Sequence, residues 1–143
     1  MEQTEKSRVR WLSHDADILL EVKAPSLEAL FRAAGAALAA SMVETKALER
    51  QDRRSVRVEG VDRESLLVAW LNEIIYLVGE GIFFPTGALS LRIDESAVEA
   101  TLVGERGSRS DPRLRREVKA ATYHDLSVRR TGAGWETRVL FDV

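Results

Sequence analysis

The sequence contains no cysteine. Disulfide cross-links, zinc–thiolate sites and thiol nucleophiles are excluded together, and the composition is compatible with a reducing cytoplasm. Only two histidines are present, His14 and His124, so a His-rich metal cluster cannot be built. No stretch reaches the ~18 unbroken apolar residues of a membrane span, and Met1 to Lys6 are polar, without the apolar centre of a secretory signal. Neither sign of charge dominates: 21 basic against 23 acidic residues give a net charge of −2. The overall basic field of a nucleic-acid binder is therefore missing, and any RNA contact must be local or made through a partner. There is no Gly-rich phosphate loop, no histidine pair at helical spacing and no Gly-x-Ser-x-Gly elbow. These absences predict a cytoplasmic protein without membrane attachment and without an autonomous catalytic engine.

What is present is an ordinary core. The 143 residues are 45% hydrophobic and 31% charged, the balance of one domain over residues 1–143 that needs no staples. Residues 8–12 and 16–24 alternate polar and apolar, with Ala16, Ile18, Leu20, Val22 and Ala24 on one parity, which predicts two half-buried strands. Ser26 is placed to cap a helix whose stripe is Leu27, Leu30, Phe31, Ala34, Leu38 and Met42. Residues 45–54 read as a charged loop or frayed turn and 55–59 as a strand. Asp62 is placed to cap a second helix carrying Leu67, Trp70, Leu71, Ile74, Leu77 and Val78, ended by Gly79 and Gly81. Beyond Phe83 the chain reads as strands at 89–93, 98–103, 118–129 and 135–143, the last two a hairpin. Between them, residues 104–116 carry five arginines around Asp111-Pro112 and read as a mobile basic loop. The expected fold class is α+β: a largely antiparallel sheet with two long helices packed on it.

Three places hold polar groups that need accounting. Asp15 and Asp17 stand two apart in a strand and so share one side of it, as a solvated edge face or as paired ligands. Thr122 and His124 interrupt the parity of Val118, Ala120, Leu126 and Val128, with Lys119 and Asp125 on the other parity unless a bulge intervenes; a lone histidine there reads first as a hydrogen-bonded core residue. Asp142 lies one residue from the terminal carboxylate at Val143. Two anions so close are tolerated by full solvation or by a cation, and oxygen-only ligands favour a hard ion such as Ca²⁺, Mg²⁺ or Mn²⁺.

Four segments, in this order and spacing, resemble the archease family. They are His14-Asp15-Ala16-Asp17-Ile18, Leu66 to Glu73 with Tyr76-Leu77, Val118-Lys119-Ala120-Ala121-Thr122-Tyr123-His124-Asp125-Leu126, and Val139-Leu140-Phe141-Asp142-Val143. The resemblance implies a cofactor protein that activates the GTP- and Mn²⁺-dependent ligase joining RNA 3′-phosphate ends to 5′-hydroxyls in tRNA splicing or repair, promoting guanylylation and multiple turnover without itself ligating. It implies a divalent-ion site at Asp17 and Asp142 with a main-chain or terminal oxygen of Val143. It also implies a functionally sensitive lysine at Lys119, one of only four lysines beside 17 arginines, and a contact surface that includes His124. Asp15 departs from the threonine expected there, which leaves the ligand count open.

Two other readings stand beside this one. A stand-alone metal-dependent phosphoesterase or nucleotide-binding protein would use Asp17, Asp142 and His124 for metal and proton work, and would act without a partner. A chaperone-like interaction module rests on fold analogy alone.

Overall fold

A computed structural model describes residues 7–14 and 17–143 of the chain. The strands are β1 (Arg8–His14), β2 (Asp17–Ala24), β3 (Asp52–Glu59), β4 (Phe83–Ile93), β5 (Ala97–Arg106), β6 (Ala120–Thr131) and β7 (Gly134–Asp142). The helices are α1 (Leu27–Met42), between β2 and β3, and α2 (Arg63–Gly79), between β3 and β4. The architecture is α+β, as expected, but the strands divide into two sheets. One has the order β1-β2-β7-β6 and the other β3-β5-β4, and every pairing within them is antiparallel.

Both helices begin where the sequence places their caps. The Ser26 hydroxyl accepts from the Ala29 N–H at 3.1 Å. Asp62 accepts from the Ser65 N–H at 2.7 Å while the Ser65 hydroxyl accepts from the Asp62 N–H at 3.1 Å, a reciprocal box that occupies two otherwise orphaned groups. After α2 the chain turns through Gly81 at φ +67°, where a side chain would press on the backbone of Ser108 and Arg109.

One apolar core joins the layers. Leu20, Val22, Val139 and Phe141 from the first sheet, Phe31 and Leu38 from α1, Trp70 and Ile74 from α2, and Val98 and Leu102 from the second sheet all belong to it. The buried Trp70 is anchored by its indole N–H, which donates to the Phe31 carbonyl at 2.9 Å.

Two expectations are corrected. Within residues 45–54 the turn is a 3₁₀ turn at Thr45–Ala47, and β3 starts at Asp52, three residues before the expected strand. The arginine-rich segment is not a free basic loop. Its first residues finish β5, and Arg113 bonds the Asp111 carboxylate at 2.9 Å, Glu105 at 2.6 Å and the Ala47 carbonyl at 3.1 Å. Leu114 bridges Val43, and the Arg115 N–H reaches the Met42 carbonyl at 2.8 Å. The Arg113 guanidinium holds the Asp111 carboxyl at about 2 and draws Glu105 below its ordinary value. The charge of Arg113, which looks available in the sequence, is used in closing the fold.

Candidate metal and partner-contact site

Asp17 and Asp142, singled out from the sequence, meet where four strand ends converge. Asp17 opens β2, Asp142 closes β7, and the two are direct partners in the antiparallel register. Ala120, which opens β6, pairs with Asp142 from the other side, and His14, which closes β1, pairs with Asp17. Residues 125 positions apart in the chain, 17 and 142, thus share one rung. Direct cross-strand partners project to the same face. Ile18, Leu20 and Val22, opposite Phe141, Val139 and Thr137, turn to the core, so Asp17 and Asp142 lie on the outer face of the sheet.

The next rungs explain why these two carboxylates are not neutralised. The nearest one on the same face is Leu12, Leu19, Leu140 and Thr122. Only the rung after that carries cations, and they are already used: Arg10 and Arg138 reach the two oxygens of Glu21 at 2.7 and 3.0 Å. Four residues of strand separate Asp17 from Glu21, about 13 Å, which exceeds the ~10 Å screening length at 0.1 M salt. Among the described residues neither Asp17 nor Asp142 is drawn into an ion pair with these arginines, and both lie on the outer face. Among the described residues no third His, Cys, Asp or Glu joins it to form a metal cluster. Asp15 lies outside the described residues.

Lys119 sits immediately before β6, and its N–H donates to the Asp142 carbonyl at 2.8 Å. That bond fixes the Lys119 main chain beside Asp142, and the lysine is exposed. Val143 follows Asp142 and is 36% exposed.

His124 is not the core residue its parity suggests. Between Thr122 and Ser127 the β6–β7 register slips, and residues 123–126 stand opposite the single Val139. The inserted residues bulge out of the ladder: Tyr123 is 61% exposed, the His124 side chain 66%, and Asp125 takes φ +52°. The bulge also exchanges the two faces, so Thr122 lies on the outer face and Val128 on the core face. Within β6 the row read from Ala120 to Val128 is therefore two half-rows with opposite orientation.

The bulge is held by two side chains of α2 for which no role is expected from the sequence. The Asn72 side-chain oxygen accepts from the Ala121 N–H at 2.9 Å, before it, and Glu64 accepts from the Val128 N–H at 3.1 Å, after it. Both come from α2, which lies along this edge of the sheet. The available signal was a polar asparagine inside an otherwise apolar helical stripe.

The donor set fits a hard cation. Asp17 and Asp142 offer carboxylate oxygens on one face, with main-chain oxygen adjacent and no soft ligand among the described residues. Over residues 10–143 the chain matches the model of the archease protein family (MTH1598/TM1083). It is 30% identical over 140 residues to protein archease of Methanosarcina mazei, covering 95% of this chain and 96% of that one. It is 34% identical over 136 residues to protein archease of Pyrococcus furiosus, covering 91% and 94%. The solution structure of Methanobacterium thermoautotrophicum protein 1598 superposes with a TM-score of 0.78 at 26% identity, covering 94% of this chain and 98% of that one. The chain belongs to the archease family. Among the described residues no helix is long and apolar enough to cross a membrane.

Proposed function

We propose that this archease is the cytoplasmic activator of a GTP- and Mn²⁺-dependent RNA ligase that joins 3′-phosphate to 5′-hydroxyl ends, in tRNA splicing or RNA repair. The observation that supports it is the direct pairing of Asp17 with Asp142, with the Lys119 main chain bonded to the same rung. Asp17 and Asp142 would hold a divalent ion, with water and an oxygen of Val143 completing its shell. That ion would supply concentrated positive charge for a triphosphate or for the ligase's own carboxylates. Lys119 brings a compact ammonium that can meet phosphate or an acidic surface on the ligase, a role that a broad guanidinium fork does not reproduce. His124, lifted out of the sheet by the bulge, extends the contact surface. RNA is reached through the ligase.

The test is a titration of ligation by a cognate ligase, with GTP and Mn²⁺ supplied. Substoichiometric archease should raise guanylylation and convert single into multiple turnover, and it should ligate nothing alone. Unchanged ligase turnover would overturn the proposal.

A further inference from the structure

The four sheet edges are treated differently, and among the described residues one has no partner. On β6, Asn72 and Glu64 occupy edge N–H groups. On β4 the Ala88 carbonyl accepts from Arg32. The β3 edge carries Asp52, Arg53, Arg54, Arg57 and Glu59, a charged strand that discourages pairing. Among the described residues β1 pairs only with β2, and Ser7, Val9 and Trp11 of this end of the chain line a groove of about 940 Å³. Its wall is Val9 and Trp11, its floor the small residues Ala33, Ala36, Ala37 and Ala40 of α1, and its far side Thr86 of β4. Val9 is 43% exposed. Arg115 and Arg116 stand at its rim. Arg115 has one ion pair among the described residues, to Glu44 at the 4.0 Å limit, and Arg116 has none there.

We infer that this groove receives an extended, acidic segment of a partner protein, which adds as a strand to β1. An open strand edge presents N–H and C=O groups in a repeat that only another peptide backbone matches. Alternate side chains of such a strand would meet the alanine floor, where the absence of bulk leaves room for them. Arg115 and Arg116 complement acidic residues at its end, and rim charges of this kind set partner choice. Single-stranded RNA is disfavoured, because it needs stacking platforms and cations along its whole path. Here the one ring in the wall, Trp11, is packed on Phe141 with centroids 5.9 Å apart, and the cations are confined to the rim. The groove is distinct from the rung of Asp17 and Asp142, so the inference stands without the ligase proposal.

The test uses ¹⁵N-labelled full-length protein and a fluorescent peptide of about nine residues, alternating valine and glutamate. Binding should slow exchange of the β1 amides, and Ala36→Glu, or Arg115→Glu with Arg116→Glu, should each weaken it by about tenfold, with circular dichroism and melting unchanged. Unaltered β1 exchange in peptide excess, or equal binding of a valine–lysine peptide, overturns the inference. So does displacement of the peptide by oligouridylate at equal concentration. A dimer that Ala36→Glu dissolves would make a second copy the occupant, and faster β1 exchange on deleting residues 2–6 would make it the chain's own first residues; either result refutes a partner segment.

Discussion

Replacing Asp142 with asparagine should raise the melting temperature of the metal-free protein, although it removes a surface charge from a strand end. The side chain keeps its volume, and the Lys119 N–H bond to the residue 142 carbonyl belongs to the main chain and survives. What is lost is the repulsion between directly opposed carboxylates, worth roughly 0.2–1 kcal/mol for a cross-strand like-charge pair. Asp142 is exposed and Asp17 half-buried, so solvent screening places the effect in the lower half of that range. For a domain of this size 1 kcal/mol moves the midpoint by roughly 3–5 °C, so the expected rise is about 1–3 °C in low salt with chelator. In 1 M salt, where the screening length is about 3 Å, the rise should shrink. Divalent ion should reverse the ranking. At about 100-fold excess over its dissociation constant a ligand stabilises by roughly 2.7 kcal/mol, and Asp142→Asn should lose most of that shift. Calorimetry in chelator and across a Mn²⁺ or Ca²⁺ titration reads both effects. A variant less stable than wild type without metal and equally responsive to metal would refute both the repulsion and the shared-ion site.

Other outcomes follow from single contacts. Lys119→Ala should abolish ligase stimulation while leaving the calorimetric metal response intact, and Lys119→Arg should restore stimulation poorly; full activity of both would remove Lys119 from the contact surface. Gly35→Ala should destabilise despite Ala's helix preference of about 0.8–1 kcal/mol, because the new Cβ would lie 2.8 Å from Ile74 Cδ1 and 3.0 Å from Trp70 Nε1, and overpacking of this kind costs about 1–3 kcal/mol; a raised melting temperature would show that Trp70 can yield. Arg113 holds Asp111 at about 2 and lowers Glu105. A depressed folded-state value contributes stability that is present above the unfolded carboxyl range and lost as pH falls towards 2. Arg113→Met should therefore be less stable than wild type at pH 7, with the two melting curves converging between about pH 5 and 2; a constant gap across that window would contradict the coupling.

Local chemistry was legible in the sequence, and long-range pairing was only partly so. Ser26 and Asp62 announced both helix starts because a cap is a contact between residues three apart, and Trp70 reads as core from its place in a 3.6-residue stripe. The division into two sheets was not readable: strand alternation says that one face is buried but not which strand lies next door. The loop at 104–116 was misjudged for the same reason. Arg113 looks like free charge until Glu105, Asp111 and the Ala47 carbonyl are brought around it.

The bulge in β6 is the most instructive departure, since it inverts a parity argument that was otherwise sound. A strict two-residue period would carry His124 into the core together with Val128. Residues 123–126 break that period, and α2 secures the break from both sides through Asn72 and Glu64. The inversion serves two demands that one regular strand could not meet. Ala120 must sit level with Asp142 on the outer face, which keeps Lys119 beside the acidic pair, while Val128 must reach the core. A strand with unbroken alternation would satisfy one end and misplace the other. The same extra residues that reconcile the two ends are those left exposed, so packing alone is enough to place Tyr123 and His124 at the surface.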